Sequence, residues 1–350
     1  MAKRSEKEAS LSVIVIVALA ILVVLTAQVE SAAAAVSYVN LEDTVRKVVQ
    51  EHMNINWGFG AGLLRLVFHD CFVRGCDGSV LLDRTPQNTK TEKESPSNGG
   101  LRGLEVIDAI RVRLAKDIGV TVSCADAVVF AAREATHILS KGKIAYDVDG
   151  PGRMDGIVSS AEDPGKHLPA PTDTFDLLMQ KFRAKDLDLV ELVALSGAHS
   201  VGVANVTSVI HRFGTPIPRG QMNRMYAGAV VIEMGTDGVV ENNVRDFKPA
   251  NRDTVAGYQA NGVVDLNAVG YLDNSYYNAN FQNMVLFNSD WELTTNTSAK
   301  QHMTLYMDAD KWRAAFGKAM TRLSNELKSE GPLYEIGSRM TCNATNHMSY

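Results

Sequence analysis

The chain has 350 residues, 45% of them hydrophobic and 21% charged, and a formal net charge of −5 from 35 Lys and Arg against 40 Asp and Glu. These are the proportions of an ordinary soluble protein, which excludes composition-driven classes such as collagen or a disordered tail. Mild acidity with no run of Lys or Arg also argues against a nucleic-acid partner held through its phosphates, so a small molecule is expected instead.

At the N-terminus, Lys3, Arg4 and Lys7 precede an almost wholly apolar stretch from Leu11 to Ala27, and small residues follow from Ser31 to Ala35. That order predicts a secretory signal over residues 1–35, cleaved near Ala33 to Ala35, and a mature domain over 36–350. The competing reading is an uncleaved anchor, although the apolar run falls short of the ~20 residues that span a bilayer. After cleavage no membrane contact is expected. Secretion permits disulfides, and Cys71, Cys76, Cys124 and Cys342 admit three pairings among which spacing does not choose. The sequons at Asn205, Asn296 and Asn343 suit the same compartment and mark a glycoprotein.

The first chemistry-bearing element is Leu63 to His69, where Arg65 and His69 stand four apart and share one face of a helix. They form either one wall of a polar pocket or an ordinary solvated face. Immediately after, Asp70, Asp77 and Ser79 bracket a glycine-containing turn that Cys71 and Cys76 are spaced to pin. Oxygen donors of this kind suit Ca²⁺, with a metal-free capped turn as the plain alternative. Zinc or thiol chemistry at His69, Cys71 and Cys76 is the third reading, and secretion disfavours it.

Farther along, Leu104, Ile107, Ile110 and Leu114 mark the apolar face of a second helix, and Ser123 to Asp126 has the form of a capping box opening a third. Asp188 to His199 reads as an amphipathic helix that ends at Gly197 and delivers a histidine. Such a histidine is usually structural, unless it binds iron through one ring nitrogen while a carboxylate such as Asp290 takes the proton on the other. The stretch from Val206 to Val264 scatters Gly, Pro and Asn among short β-branched runs such as Val230 to Ile232, which predicts an irregular insertion with room for a short hairpin. Trp312, Phe316, Met320, Leu323 and Leu327 mark a last helical face. The fold class is therefore mainly α, in one unit with room for two lobes.

Two long motifs in this order are specific: LLRLVFHDCFVRGCDGSVLLD at 63–83 and ELVALSGAHSVG at 191–202. Together with TEKESPSN at 91–98, VSCADAV at 122–128, HLPAPTDT at 167–174, LDNSYY at 272–277 and NSDWEL at 288–293, they make the chain resemble the plant secretory (class III) haem peroxidases over essentially all of the mature sequence outside 206–264. The resemblance implies the haem-peroxidase fold, with a distal lobe over about 36–165 and a proximal lobe over about 166–350 sandwiching haem b. It implies His69 as distal acid and base, Arg65 as distal cation, Asn98 as the partner orienting His69, and Phe68 as the residue packed over the haem. His199 would be the axial ligand and Asp290 its carboxylate partner. Asp70, Val73, Gly75, Asp77 and Ser79 fall at the distal Ca²⁺ positions, with Glu92 reaching that ion through water, and Ser200, Asp265, Ala268, Tyr271 and Asp273 fall at the proximal ones. Pro169 lies where reducing substrates dock.

Implied partners are hydrogen peroxide and small phenolic reductants, acting on a monomer secreted to the cell wall or apoplast, with the vacuole as a second destination. The family usually carries twice as many cysteines. Ile118 and Val206 occupy two of the missing positions, and their partners near the N-terminus and within 207–264 are absent as well. The bridges that the resemblance leaves are Cys71 to Cys76 and Cys124 to Cys342. Ala268 replaces a threonine and offers only its carbonyl, so the proximal Ca²⁺ site is expected to be weak or empty. These departures motivate an alternative function, a non-catalytic secreted glycoprotein on the same scaffold. Against it, every residue needed for peroxide cleavage is present.

Overall fold

The computed structural model describes residues 40–213, 221–234, 243–245, 270–325, 327, 329, 333–334 and 339–345. The predicted signal segment 1–35, Asp265 and Ala268 lie outside the described residues, as does much of the 206–264 insertion. The described chain is mainly helical: α1 (40–55), α2 (Gly58–Arg74), α3 (Leu104–Ile118), α4 (Cys124–Leu139), α5 (Asp163–His167), α6 (Phe175–Arg183) and α7 (Leu189–Ser196), then α8 (Arg224–Met234), α9 (Ser275–Phe281), α10 (Asn288–Glu292), α11 (Thr297–Leu305) and α12 (Ala309–Asn325).

Local chemistry sets the helix ends. Gly75, at φ 83°, stops α2, and its N–H bonds to the Cys71 carbonyl. Gly119, at φ 67°, closes α3 in the left-handed conformation that glycine adopts without a Cβ clash. At α4 the Ser123 side chain accepts from the Asp126 N–H at 3.0 Å, but only half of the expected capping box forms. The Asp126 carboxylate turns instead to the Arg153 guanidinium at 2.9 Å and the Gly152 N–H at 2.9 Å. The box at α7 is complete: Asp188 accepts from the Val190 and Glu191 N–H groups, and Glu191 accepts from the Asp188 N–H at 2.8 Å.

Helices α2 and α3 both pack on α4, while α7 is flanked by α12, α11 and α6, and α12 also reaches α2. Of the predicted apolar faces, Ile107, Ile110 and Leu114 on α3 and Trp312, Phe316, Met320 and Leu323 on α12 are buried in one continuous core, while Leu104 and Leu327, the latter beyond the end of α12, are partly buried against it. Among the described residues two antiparallel ribbons form: β1 (Asp155–Gly156) pairs with β4 (Leu333–Tyr334), Asp155 opposite Tyr334, and β2 (Val203–Asn205) pairs with β3 (Asn243–Arg245), Ala204 opposite Val244.

The insertion departs from the sequence reading. Val230 to Ile232 belongs to α8 rather than to an irregular or strand-like run. Tyr226, Ala227 and Val230 are buried in a second small core with Ala204, Val206, Val209, Met222 and Leu286. Burying that face outweighs the weak β preference of the branched residues. Among the described residues the ribbon here joins strands on either side of α8. Val206 is an apolar member of this core. Arg212 helps hold the same region, donating to the carbonyls of Val285 (2.8 Å), Leu286 (3.0 Å), Phe287 (2.6 Å) and Gln221 (3.0 Å). Both expected disulfides are formed, Cys71 to Cys76 across the end of α2 and Cys124 to Cys342 across 218 residues.

Candidate active site

Helix α2 presents Arg65, Phe68 and His69, and the 3-10 turn Pro96–Asn98 brings Asn98 to them. Asn98 donates through Nδ2 to the Glu92 carbonyl at 2.9 Å. A carbonyl only accepts, so this bond orients the amide and leaves Oδ1 facing His69 Nδ1 at 2.6 Å. His69 therefore carries its proton on Nδ1 and its lone pair on Nε2. Arg65 Nε stands 3.2 Å from that Nε2, while its other nitrogens donate to the carbonyls of Gly99 (3.1 Å) and Ser97 (3.0 Å). Burial, then the Arg65 charge, lower the His69 pKa to about 3 against the opposing pull of Asn98. Burial and the nearby Arg102 bring Arg65 down to about 10, so it stays a cation at neutral pH. The result is a neutral base beside a fixed positive charge. Phe68 stacks on Phe72, ring centroids 4.7 Å apart, and forms the apolar flank of the same face.

His199 follows α7 in the 3-10 turn Gly197–Ser200. The turn is possible because position 197 has no side chain: a Cβ there would stand 2.5 Å from Trp312 Nε1 and 2.9 Å from the Tyr277 hydroxyl. Gly202, at φ 92°, then brings the chain against Ala61 one turn before Arg65, where an added Cβ would lie 3.3 Å from the alanine methyl. The two motifs, far apart in sequence, thus approach one another. His199 Nδ1 bonds to Asp290 Oδ1 at 2.9 Å, which puts its proton on Nδ1 and its lone pair on Nε2. The same Oδ1 accepts from the Tyr276 hydroxyl at 2.9 Å, and the ring of Phe287 lies 5.1 Å from that of His199. Although Asp290 is buried, the His199 side chain keeps 45% of its surface open.

Below His69 the turn after α2 gathers buried oxygens. Asp70 Oδ2 accepts from the Gly78 N–H at 3.0 Å, Asp77 Oδ1 from the Ser79 N–H at 2.9 Å, and Glu92 Oε1 from the Ser79 hydroxyl at 2.9 Å. Asp70 Oδ1 and Glu92 Oε2 are buried with no hydrogen-bond partner among the described residues. Burial raises all three carboxyls: Asp70 well above its usual range with the Asp77 charge adding, Asp77 to about 6, and Glu92 to about 8. Among the described residues no group of three or more His, Cys, Asp or Glu side chains could hold a metal by itself. A cation here would also need the Ser79 hydroxyl and the Val73 and Gly75 carbonyls. Val73 already accepts from Lys185 Nζ at 2.9 Å.

Of the proximal set, Ser200 Oγ accepts from the Asp273 N–H at 3.1 Å, and Asp273 Oδ2 is buried without a partner among the described residues. The Tyr271 ring is edge-on to Trp57, centroids 5.9 Å apart, and Lys141 Nζ lies 3.9 Å over it. Pro169, half-buried, belongs to a loop tied to the start of α10 by the bond from the Ser289 N–H to the Pro171 carbonyl at 3.1 Å.

A family profile described as Peroxidase matches residues 45–309. The chain belongs to the peroxidase family. Peroxidase 1 of Zea mays is 34% identical over 326 residues, covering 93% of this chain and 85% of its own length. Peroxidase 5 of Vitis vinifera is 36% identical over 305 residues, 85% of this chain and 86% of its own. Peroxidase 15 of Arabidopsis thaliana is 33% identical over 313 residues, 87% of this chain and 86% of its own. These plant relatives bear out the class III resemblance, and with it peroxidase activity, which consumes hydrogen peroxide and a reducing substrate and implies a haem cofactor.

The residues of this peroxidase fit that cofactor. His199 is half-open with its lone pair on Nε2, and Phe68, Ala198, Val201 and Phe287 are partly buried apolar neighbours of the cores. The orphaned oxygens of Asp70 and Glu92 likewise fit a hard cation. Sequence reasoning passed over Tyr276, Asn280, Phe287 and Arg212. The LDNSYY segment was visible as a motif, but nothing in its spacing points Tyr276 at Asp290.

Proposed function

We propose that the chain is a secreted haem peroxidase that cleaves hydrogen peroxide with His69 and Arg65, holds haem b on His199, and draws electrons from small phenols. The observation that carries this reading is the tautomer of His69, whose Nε2 lone pair faces Arg65 while Asn98 holds the proton on Nδ1. From there His69 takes a proton from one peroxide oxygen and returns it to the other as the O–O bond breaks, and Arg65 stabilises the negative charge that develops on the departing oxygen. When bound, haem supplies the electrons for that cleavage and regains them in one-electron steps from donors. His199 would hold the group through Nε2, and its bond to Asp290 would keep the imidazole electron-rich.

In the same reading the distal cation is Ca²⁺ on Asp70, Asp77, Ser79 and the carbonyls of Val73 and Gly75, with Glu92 through water. The proximal site, built on Ser200, Tyr271, Asp273 and the outlying Asp265 and Ala268, is the weaker one. Phenols dock beside Pro169. The protein works as a monomer of two lobes meeting near residue 165, in the cell wall or apoplast, after loss of residues 1–35. Asn205 and Asn343 are exposed and Asn296 half-buried, which favours the first two as glycan sites. Among the described residues no helix is long and apolar enough to cross a membrane.

The test is the absorption spectrum of protein secreted from a eukaryotic host, before and after stoichiometric peroxide. The expected result is a Soret band that shifts with peroxide and recovers on adding guaiacol, and that is lost in His199→Ala. A folded, haem-supplemented sample without a Soret band would leave the scaffold-only reading standing, and a normal spectrum in His199→Ala would remove the axial assignment.

A further inference from the structure

Asp290 serves two donors on one oxygen. Its Oδ1 accepts from His199 Nδ1 at 2.9 Å and from the Tyr276 hydroxyl at 2.9 Å. Tyr276 is wholly buried and braced: Asn280, also buried, approaches its hydroxyl through Nδ2 at 3.3 Å and donates from the same nitrogen to the Asp290 carbonyl at 2.7 Å. The ring of Tyr277 meets that of Tyr276 edge-on, centroids 5.1 Å apart. A hydroxyl held this firmly is a fixed donor, and Asp290 Oδ2 has no hydrogen-bond partner among the described residues.

Two donors on one carboxylate oxygen compete for its charge. Each bond drawn to Oδ1 lowers its pull on the other proton, and in a buried site solvent does not make up the difference. We infer that Tyr276 is a positioning residue that moderates the histidine: by donating to Asp290 Oδ1 it restrains the transfer of negative character from the carboxylate to the His199 ring. His199 therefore reaches its ligand site less anionic than an unmoderated His–Asp pair would make it. Tyr276 sets how strongly the axial imidazole donates, and with it the reduction potential of a haem held there, without itself touching that group. Asn280 fixes the geometry by tying the hydroxyl and the Asp290 backbone together.

This inference rests on His199 being the axial ligand. The experiment is Tyr276→Phe, which removes one oxygen and keeps the ring, paired with 3-fluorotyrosine placed at position 276, which keeps the hydroxyl and makes it a stronger donor. Two quantities are read on haem-loaded protein: the iron(III)/iron(II) midpoint potential, and the iron–histidine stretching frequency of the reduced form by resonance Raman. Tyr276→Phe is expected to shift the potential to more negative values and the stretch upward, and fluorotyrosine is expected to shift both the other way. A merely structural tyrosine would leave both unchanged in the fluorinated protein, and that result overturns the inference. If the wild type shows no iron–histidine stretch, or if His199→Ala keeps it, the axial assignment fails first and takes this inference with it.

Discussion

At the scale of single residues, what distinguishes His69 is the direction in which its ring is wired. Asn98 is oriented by a backbone carbonyl, so the lone pair on His69 is assigned by hydrogen bonding alone. His69→Leu is expected to slow the reaction with peroxide by roughly 10²–10⁴-fold, the usual contribution of a general acid–base, as read by stopped-flow absorbance. Retention of the wild-type rate would mean that another group takes the proton. Because burial and Arg65 lower the His69 pKa to about 3, the peroxide rate should stay level from neutral pH down to about pH 4 and decline only below it. An inflection near the ordinary histidine value of about 6.5 would contradict that environment. The stability consequence has a definite sign. Between the folded value and about 6.5 the unfolded chain binds the extra proton, so this contribution is fully present above about pH 6.5 and is lost as pH falls toward 3. Denaturant midpoints at graded pH measure it.

At the scale of elements, the caps and close approaches govern how accurately these side chains are delivered. Ser123 alone caps the start of α4, since Asp126 is drawn away by Arg153. Ser123→Ala should cost about 1 kcal/mol in chemical denaturation and leave the haem spectrum unchanged. Gly197→Ala is expected to act differently. Its methyl would meet the Trp312 indole and the Tyr277 hydroxyl, forcing the 3-10 turn that carries His199 to move. Overpacking of this kind costs about 1–3 kcal/mol. Here it should also weaken haem retention, measured as the rate of haem transfer to an apoglobin acceptor, and unchanged retention would show that the turn can slide. The helix that opens motif 191–202 was legible because its capping pair, Asp188 and Glu191, is local, whereas 63–83, buried on nearly every side of α2 and without a side-chain cap, was legible through its resemblance to the family. The insertion was not legible in the same way. The Val230 to Ile232 run is helical only because Tyr226, Ala227 and Val230 bury together against Val206, Val209 and Leu286, a partnership that local propensity does not encode.

At the scale of the whole molecule, the end of the chain straps the turn that would hold the distal cation. Arg339, fully buried, donates to the carbonyls of Gly78 and Cys342, both at 3.0 Å, and to that of Gly156, while the Asp83 N–H donates to the Asn343 carbonyl at 2.8 Å. The Cys124–Cys342 bridge anchors this strap. Replacing both cysteines with serine should cost about 2–4 kcal/mol, read from the denaturant midpoint. Chelating calcium should lower the melting temperature of the wild type, and by more in the bridge-free variant, because strap and cation constrain one turn. Equal losses in the two proteins would separate them. What the sequence determined by itself was the identity and order of the chemical groups: the helical motifs, the paired histidines with Arg65, Asn98 and Asp290, and the four cysteines. Only the tertiary structure decided which proton each histidine carries, that Tyr276 and Asn280 stand behind Asp290, that Arg212 secures the segment before α10, and that α8 is a helix. The physical reason is range. Periodicity and capping act over a few residues and are written locally, whereas a hydrogen bond between Tyr276 and Asp290 or a core shared by Val206 and Leu286 exists only once distant segments have been packed together.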